Sequence, residues 1–175
     1  MSYLQNKNVI RWLGIASFIY AIICLHGCAQ LQTKESTLSP PHKKYTVTMP
    51  ANGWEPIKLD KGDLALWHKQ HHAMIAFIST NVDDKEVSLE MLNSQLFIGI
   101  KGKEILLNES TTVDNQNAIH TMLAGEMDNC KLKIDSYVIR AGNYIYDLVY
   151  WAPSDSFDYV KGDFENMVRS FKFTQ

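Results

Sequence analysis

The stretch from Lys131 to Ala152 constrains the fold more than any other part of the chain. Lys131 to Arg140 and Asn143 to Ala152 read as two strands, because their side chains alternate with period two and Ala141-Gly142 supplies a two-residue turn. With that turn Arg140 faces Asn143, and Val138, Ser136, Ile134 and Leu132 lie opposite Ile145, Asp147, Val149 and Trp151. The other side stacks Tyr144, Tyr146, Leu148 and Tyr150 against Ile139, Tyr137, Asp135 and Lys133. An antiparallel sheet with one wet side alternates apolar with polar. Here both sides are apolar, so both need cover.

Other segments repeat the pattern. Asp63 to Lys69 and Ala73 to Thr80 form a hairpin around Gln70-His71-His72; on the first strand Leu64 and Leu66 alternate with Ala65 and Trp67, and on the second Met74, Ala76 and Ile78 alternate with Ile75 and Phe77. Tyr45 to Met49, Trp54 to Leu59, Ile105 to Val113 and Ala118 to Glu126 are further strands. The covering helices are also legible. Ser88 is an N-cap ahead of Leu89, Met91, Leu92 and Leu96, with Gly99 as the stop. Phe157, Val160, Phe164, Met167, Val168 and Phe171 make one apolar stripe on a helix that begins near Ser154 to Ser156. The predicted class is α+β: an α/β/α sandwich whose central, mostly antiparallel sheet carries helices on both faces.

The N-terminal part belongs to export rather than to this fold. Lys7 and Arg11 precede an apolar run from Trp12 to Leu25, shorter than the roughly 20 residues a transmembrane helix needs. The run ends in Leu25-His26-Gly27-Cys28, which resembles the lipobox of bacterial lipoproteins. That resemblance implies cleavage after residue 27, a lipid such as palmitate on Cys28, and an anchored protein in the cell envelope. Ala29 follows the cysteine with no aspartate retention signal, which implies the outer membrane, facing the periplasm. The expected organisation is therefore a signal peptide over 1–27, a polar tether over 28–44 containing Pro40-Pro41, and one domain over 45–175. Cys24 leaves with the signal and Cys28 is lipidated. Cys130 alone remains in the domain and no internal disulfide is available; it is expected to pack as a small apolar group.

Composition narrows the function. The chain is 46% hydrophobic and 21% charged, in the range of a folded protein, and carries 17 Lys and Arg against 19 Asp and Glu. No basic stripe is present to hold a phosphate backbone, so nucleic acid is not an expected partner. Nor does the chain contain Gly-x-Ser-x-Gly, His-Glu-x-x-His or a glycine-rich nucleotide fingerprint.

A resemblance gives the reading its direction. The Tyr45-Thr46-Val47 strand with Pro50 and Trp54, the Val113-Asp114-Asn115-Gln116-Asn117-Ala118 turn, and Tyr146-Asp147-Leu148-Val149-Tyr150 followed by Ser170-Phe171-Lys172-Phe173 resemble the PsbP-like family. It spans about residues 45 to 173. The resemblance implies an α/β/α sandwich that acts as a non-catalytic binding or assembly module, here for an unknown envelope protein, without a cofactor. It carries no functional residue over to this chain.

Two constellations compete with that reading. His68, His71 and His72 at one hairpin end are the residue type and number for Zn²⁺ or Cu²⁺ in a metal-binding lipoprotein. Adjacent strand residues point apart, so only a suitable turn would gather all three, and a solvated turn is the plainer account. Asp147 sits between Ile145 and Val149 on an apolar face, where a carboxylate without a partner has a raised pKa, one mark of a small hydrolase. The plainer account there is a hydrogen bond from Ser136 or a salt link. His120 reads as a half-buried strand histidine, and Tyr137, Tyr144, Tyr146, Tyr150 and Trp151 read as core aromatics before they read as a sugar or peptide platform.

Overall fold

The computed structural model describes residues 37–38, 44–59, 62–82 and 87–174. In chain order these form strands β1 (Thr37–Leu38), β2 (Tyr45–Thr48), β3 (Trp54–Pro56), β4 (Leu64–His68) and β5 (Ala73–Asn81), then helix α1 (Leu89–Leu96). Four long strands follow, β6 (Lys101–Val113), β7 (Gln116–Met127), β8 (Cys130–Ala141) and β9 (Tyr144–Pro153). Helix α2 (Phe157–Ser170) and strand β10 (Lys172–Phe173) complete the described chain. The signal segment over 1–27, Cys28 and most of the expected tether lie outside the described residues. Two residues of that tether, Thr37 and Leu38, pair with Thr48 and Val47, so strand structure begins ahead of residue 45.

Seven strands form one antiparallel sheet in the order β3-β4-β5-β9-β8-β7-β6, and β1-β2-β10 form a smaller one. The large sheet is built from tight hairpins whose turns the sequence supplies. Asp114-Asn115 and Asp128-Asn129 all have positive φ, between 46° and 64°, which is the type I′ geometry that matches strand twist and that Asn and Asp tolerate best. Pairing therefore runs up to Val113 opposite Gln116.

The turn between β8 and β9 corrects the expected register. Ala141 pairs with Tyr144, so the turn is Gly142-Asn143, with Gly142 at φ 60°, rather than Ala141-Gly142. A glycine takes positive φ without cost, whereas alanine does not. Every partner moves by two residues: Val138 lies opposite Asp147, Ser136 opposite Val149 and Ile134 opposite Trp151. An even shift leaves each side chain on its expected face.

Helix α2 packs as its stripe predicts. Phe157, Val160, Phe164, Met167 and Val168 are buried against Leu64, Leu66, Ile75, Phe77, Leu148 and Tyr150. At about 2 kcal/mol for each fully buried large apolar side chain, that seam contributes on the order of 10 kcal/mol before entropy is subtracted. Ser156 does not cap the helix. Its hydroxyl donates to the His71 carbonyl oxygen at 2.8 Å and pins the helix start to the β4–β5 turn.

Helix α1 differs from its expected form. Ser88 does cap it, accepting from the Met91 N–H at 3.2 Å, but the buried residues are Asn93 and the following Phe97, while Leu89, Leu92 and Leu96 are half-buried and Met91 is exposed. It contacts β7 and β8, where Phe97 joins Leu123, Leu132 and Ile134. These residues alternate with those under α2, but an eight-residue helix is too short to roof the neighbouring strands. Over β4, β5 and β9 the side chains of Trp67, Met74, Ile78, Val149 and Trp151 keep partial exposure. The molecule is thus a mostly antiparallel α+β fold, and the complete cover expected for both faces is not what α1 supplies. No helix among the described residues is long and apolar enough to cross a membrane.

Candidate functional site

The histidine cluster assembles only in part. His68 ends β4 as a buried side chain, its ring 5.1 Å from Trp54 in an edge arrangement. The His71 N–H donates to His68 Nδ1 at 3.3 Å, which leaves the ring proton on Nε2, against Gly53. A Cβ at Gly53 would lie 2.3 Å from that nitrogen, and the residue has φ 79°, so glycine is needed on both counts. His71 lies 4.8 Å from the His68 ring and stacks on Tyr159 at 5.0 Å. His72, at φ 49°, turns instead toward Trp67, 6.1 Å away. The three imidazoles, weighed in the sequence against a plainer solvated turn, are not brought together here, because the turn sends His72 to the other side. Among the described residues no three His, Cys, Asp or Glu side chains gather in a metal-binding group. Burial, and then the neighbouring His71, hold the His68 pKa below its ordinary value, against the pull of Asp163. Asp163 is itself engaged, accepting from Trp54 Nε1 at 2.9 Å. The result is a neutral imidazole boxed by aromatic rings.

Asp147 lies on the opposite face. Ile78 on β5 and Val138 on β8 flank it in the strand register, with Val149 and Trp151 following along β9. The expected hydrogen bond from Ser136 is not made: Ser136 sits opposite Val149 and donates to the Thr121 carbonyl oxygen at 3.3 Å. Among the described residues no hydrogen bond or ion pair reaches the Asp147 carboxylate, and burial alone pushes its pKa up to about 6. Beside it Trp67, Met74 and Trp151 form an aromatic end, with the two indoles 6.0 Å apart. Leu96 of α1, Val149 and Trp151 all pack against the buried cluster of Phe97, Leu123, Leu132 and Ile134, so α1 borders this strip on one side. The arrangement is an apolar trough about 13 Å long, four residues of strand from Asp147 to Trp151, with one unpaired carboxylate at its far end.

A third constellation was invisible in the sequence. Under α2, Asp135 is 1% exposed and meets His120 Nε2 at 2.7 Å and Lys161 Nζ at 3.6 Å. His120 stacks on Tyr137 at 4.1 Å and reaches Glu109 at 3.5 Å, while Lys161 also binds Glu165. Burial works against the Lys161 charge, but Glu165 and Asp135 outweigh it and hold its pKa above the ordinary value. Burial, reinforced by Asp135, pushes Tyr137 up to about 12. The cluster links β7, β8 and α2 through ion pairs. Asn93, Thr121 and Asn108 form a smaller polar knot at a pocket of about 360 Å³ between α1, β6 and β7.

Other candidates fall into place around these. Tyr146 and Tyr150 are buried core aromatics, and Tyr150 donates to the Phe157 carbonyl oxygen at 2.6 Å. Tyr144 borders a second pocket of about 480 Å³ with Lys44, Gln116 and Phe173. Cys130 is exposed rather than packed as an apolar group, because it pairs with Met127 at the hairpin end of the sheet, beside the Asp128-Asn129 turn.

No family model and no curated protein sequence matches this chain. Solved structures do. The cyanobacterial PsbP protein, CyanoP, of Synechocystis sp. PCC 6803 is 14% identical with a TM-score of 0.59, and the match covers 86% of this chain and 99% of that one. The fold is PsbP-like. LpqN of Mycobacterium tuberculosis, described as involved in cell envelope biogenesis, shares the PsbP-like arrangement at 9% identity and a TM-score of 0.61, over 81% of this chain and 91% of its own. A Bacteroides thetaiotaomicron protein matches at 8% identity and a TM-score of 0.58, over 82% of this chain and 50% of its own. At these identities the PsbP-like likeness concerns the backbone, and the residues of the trough belong to this chain.

Proposed function

We propose that the chain is a lipid-anchored, non-catalytic binding or assembly module of a bacterial cell envelope. Two observations carry the reading: the fold is shared with LpqN, which is involved in cell envelope biogenesis, and the apolar run from Trp12 to Leu25 leads to Cys28 as a signal segment would. With residues 1–27 removed, the net charge goes from minus two to minus four, because Lys7 and Arg11 leave and no acid does. A soluble, mildly acidic domain held at a membrane surface, in the outer membrane facing the periplasm, fits that balance.

Cells fed labelled palmitate test the anchor. The native chain is expected to carry the label and to sediment with membranes, and Cys28→Ser to lose both. A native chain without label removes the lipoprotein reading.

A further inference from the structure

Asp147 stands out because comparable groups in the same domain are paired. Asp135 has His120 and Lys161, Asp114 has Lys172 Nζ at 2.8 Å and the Phe173 N–H at 2.8 Å, and Asn93 has Thr121 at 2.9 Å. Among the described residues no hydrogen bond or ion pair reaches Asp147, a half-buried side chain that lies in the trough bounded by Trp67, Met74, Ile78, Val149 and Trp151. We propose that this trough receives a helix of a partner protein that presents one lysine or arginine from an otherwise apolar face, with the cation seated on Asp147. The proposal rests on the reading of the chain as a binding module and names the face it uses and the chemistry of its partner.

Charge and shape select that occupant over others. A lipid chain or a purely apolar surface would desolvate the carboxylate further and give it nothing in return, a cost of several kcal/mol. A small hydrated cation would satisfy Asp147 and leave the two indoles wet. A second copy of this chain would set one Asp147 face against another, carboxylate toward carboxylate, with two acidic domains in contact. A helix that brings both a cation and apolar side chains meets both needs.

The dimensions agree. Across β4, β5 and β9 the open face is about 10 Å wide, the diameter of a helix with its side chains. Apolar residues four and eight positions from the lysine lie about 6 and 12 Å along the helix axis, over Val149 and the Trp67–Trp151 pair. Helix α1 already occupies the β7–β8 side of the same face, so a docked helix would lie beside Leu96 and extend that layer. An acidic domain also steers a basic segment toward itself.

The test places the photo-crosslinker benzoylphenylalanine at Trp151 in the full chain, in the cells that make it, with Tyr159 on α2 as control site. Tyr159 is 74% exposed and belongs to the helix under the other face. The expected result is a protein adduct at position 151 and not at 159, whose crosslinked peptide is an apolar helical segment with one Lys or Arg. Asp147→Asn should reduce that adduct at least tenfold while the variant melts no lower than the native chain. An adduct of undiminished strength in Asp147→Asn, an adduct to lipid or to a second copy, or no adduct at 151 overturns the proposal. A chain that leaves the membrane fraction but still crosslinks in an Asp147-dependent manner removes the anchor and keeps the docking, so the two failures are distinct.

Discussion

A carboxylate with no partner among the described residues shapes the energetics at the residue scale. The folded pKa of Asp147, about 6, lies above its ordinary 3.8, so between those values the native state retains a proton that the unfolded chain has released. The native state loses stability relative to the unfolded chain as pH rises through that window, by on the order of 3 kcal/mol, and the loss persists above it. Asp147→Asn has no charge to desolvate. In thermal melts it is expected to be more stable than the native chain at neutral pH by about that amount and equal to it near pH 3.5. A variant less stable than the native chain at neutral pH would mean that the carboxylate has a stabilising partner after all. Neither the missing partner nor the strength of the shift was legible in one dimension. The sequence showed an aspartate on an apolar face. Whether Ser136 reached it depended on a two-residue register, and that register depended on which residue of Ala141-Gly142-Asn143 took positive φ first.

Elements are read well where their signals are local. The stripe of α2 predicts its buried face because helical spacing alone puts Phe157, Val160, Phe164, Met167 and Val168 on one side. Helix α1 fails the same rule because its burial is decided by what lies opposite: Thr121 accepts Asn93, and the leucines face strands that the helix is too short to cover. The Asp135 cluster joins residues from β8, β7 and α2, and no pattern along the sequence announces such an encounter. Turns give the sharpest test at this scale. Asn115 has φ 63°, and Asn115→Val is expected to cost about 1–2 kcal/mol in urea unfolding, since a β-branched residue is poorly accommodated there. Asn115→Gly should be tolerated within a few tenths, and equal losses for both would place the contribution in the asparagine side chain rather than in the backbone.

At the level of the whole molecule, one apolar mass joins both sheets to α2. Phe164 is fully buried, within 6.5 Å of Phe77, Tyr137 and Tyr150 in ring-centre terms, and Tyr45 and Phe171 bring β2 and the end of α2 into the same cluster. Phe164→Ala is expected to cost about 3–5 kcal/mol, read from the midpoint of denaturant unfolding with an unchanged slope. A drop in slope would instead show that the small sheet separates before the large one. The same cluster gives the chain a further property. The Thr174 N–H donates to the Lys44 carbonyl oxygen at 2.9 Å, so the residue after β10 is fastened back onto the start of β2. Local opening at that edge must first break this bond and the pairing of Lys172 and Phe173 with β2, which makes β10 a clasp on the small sheet.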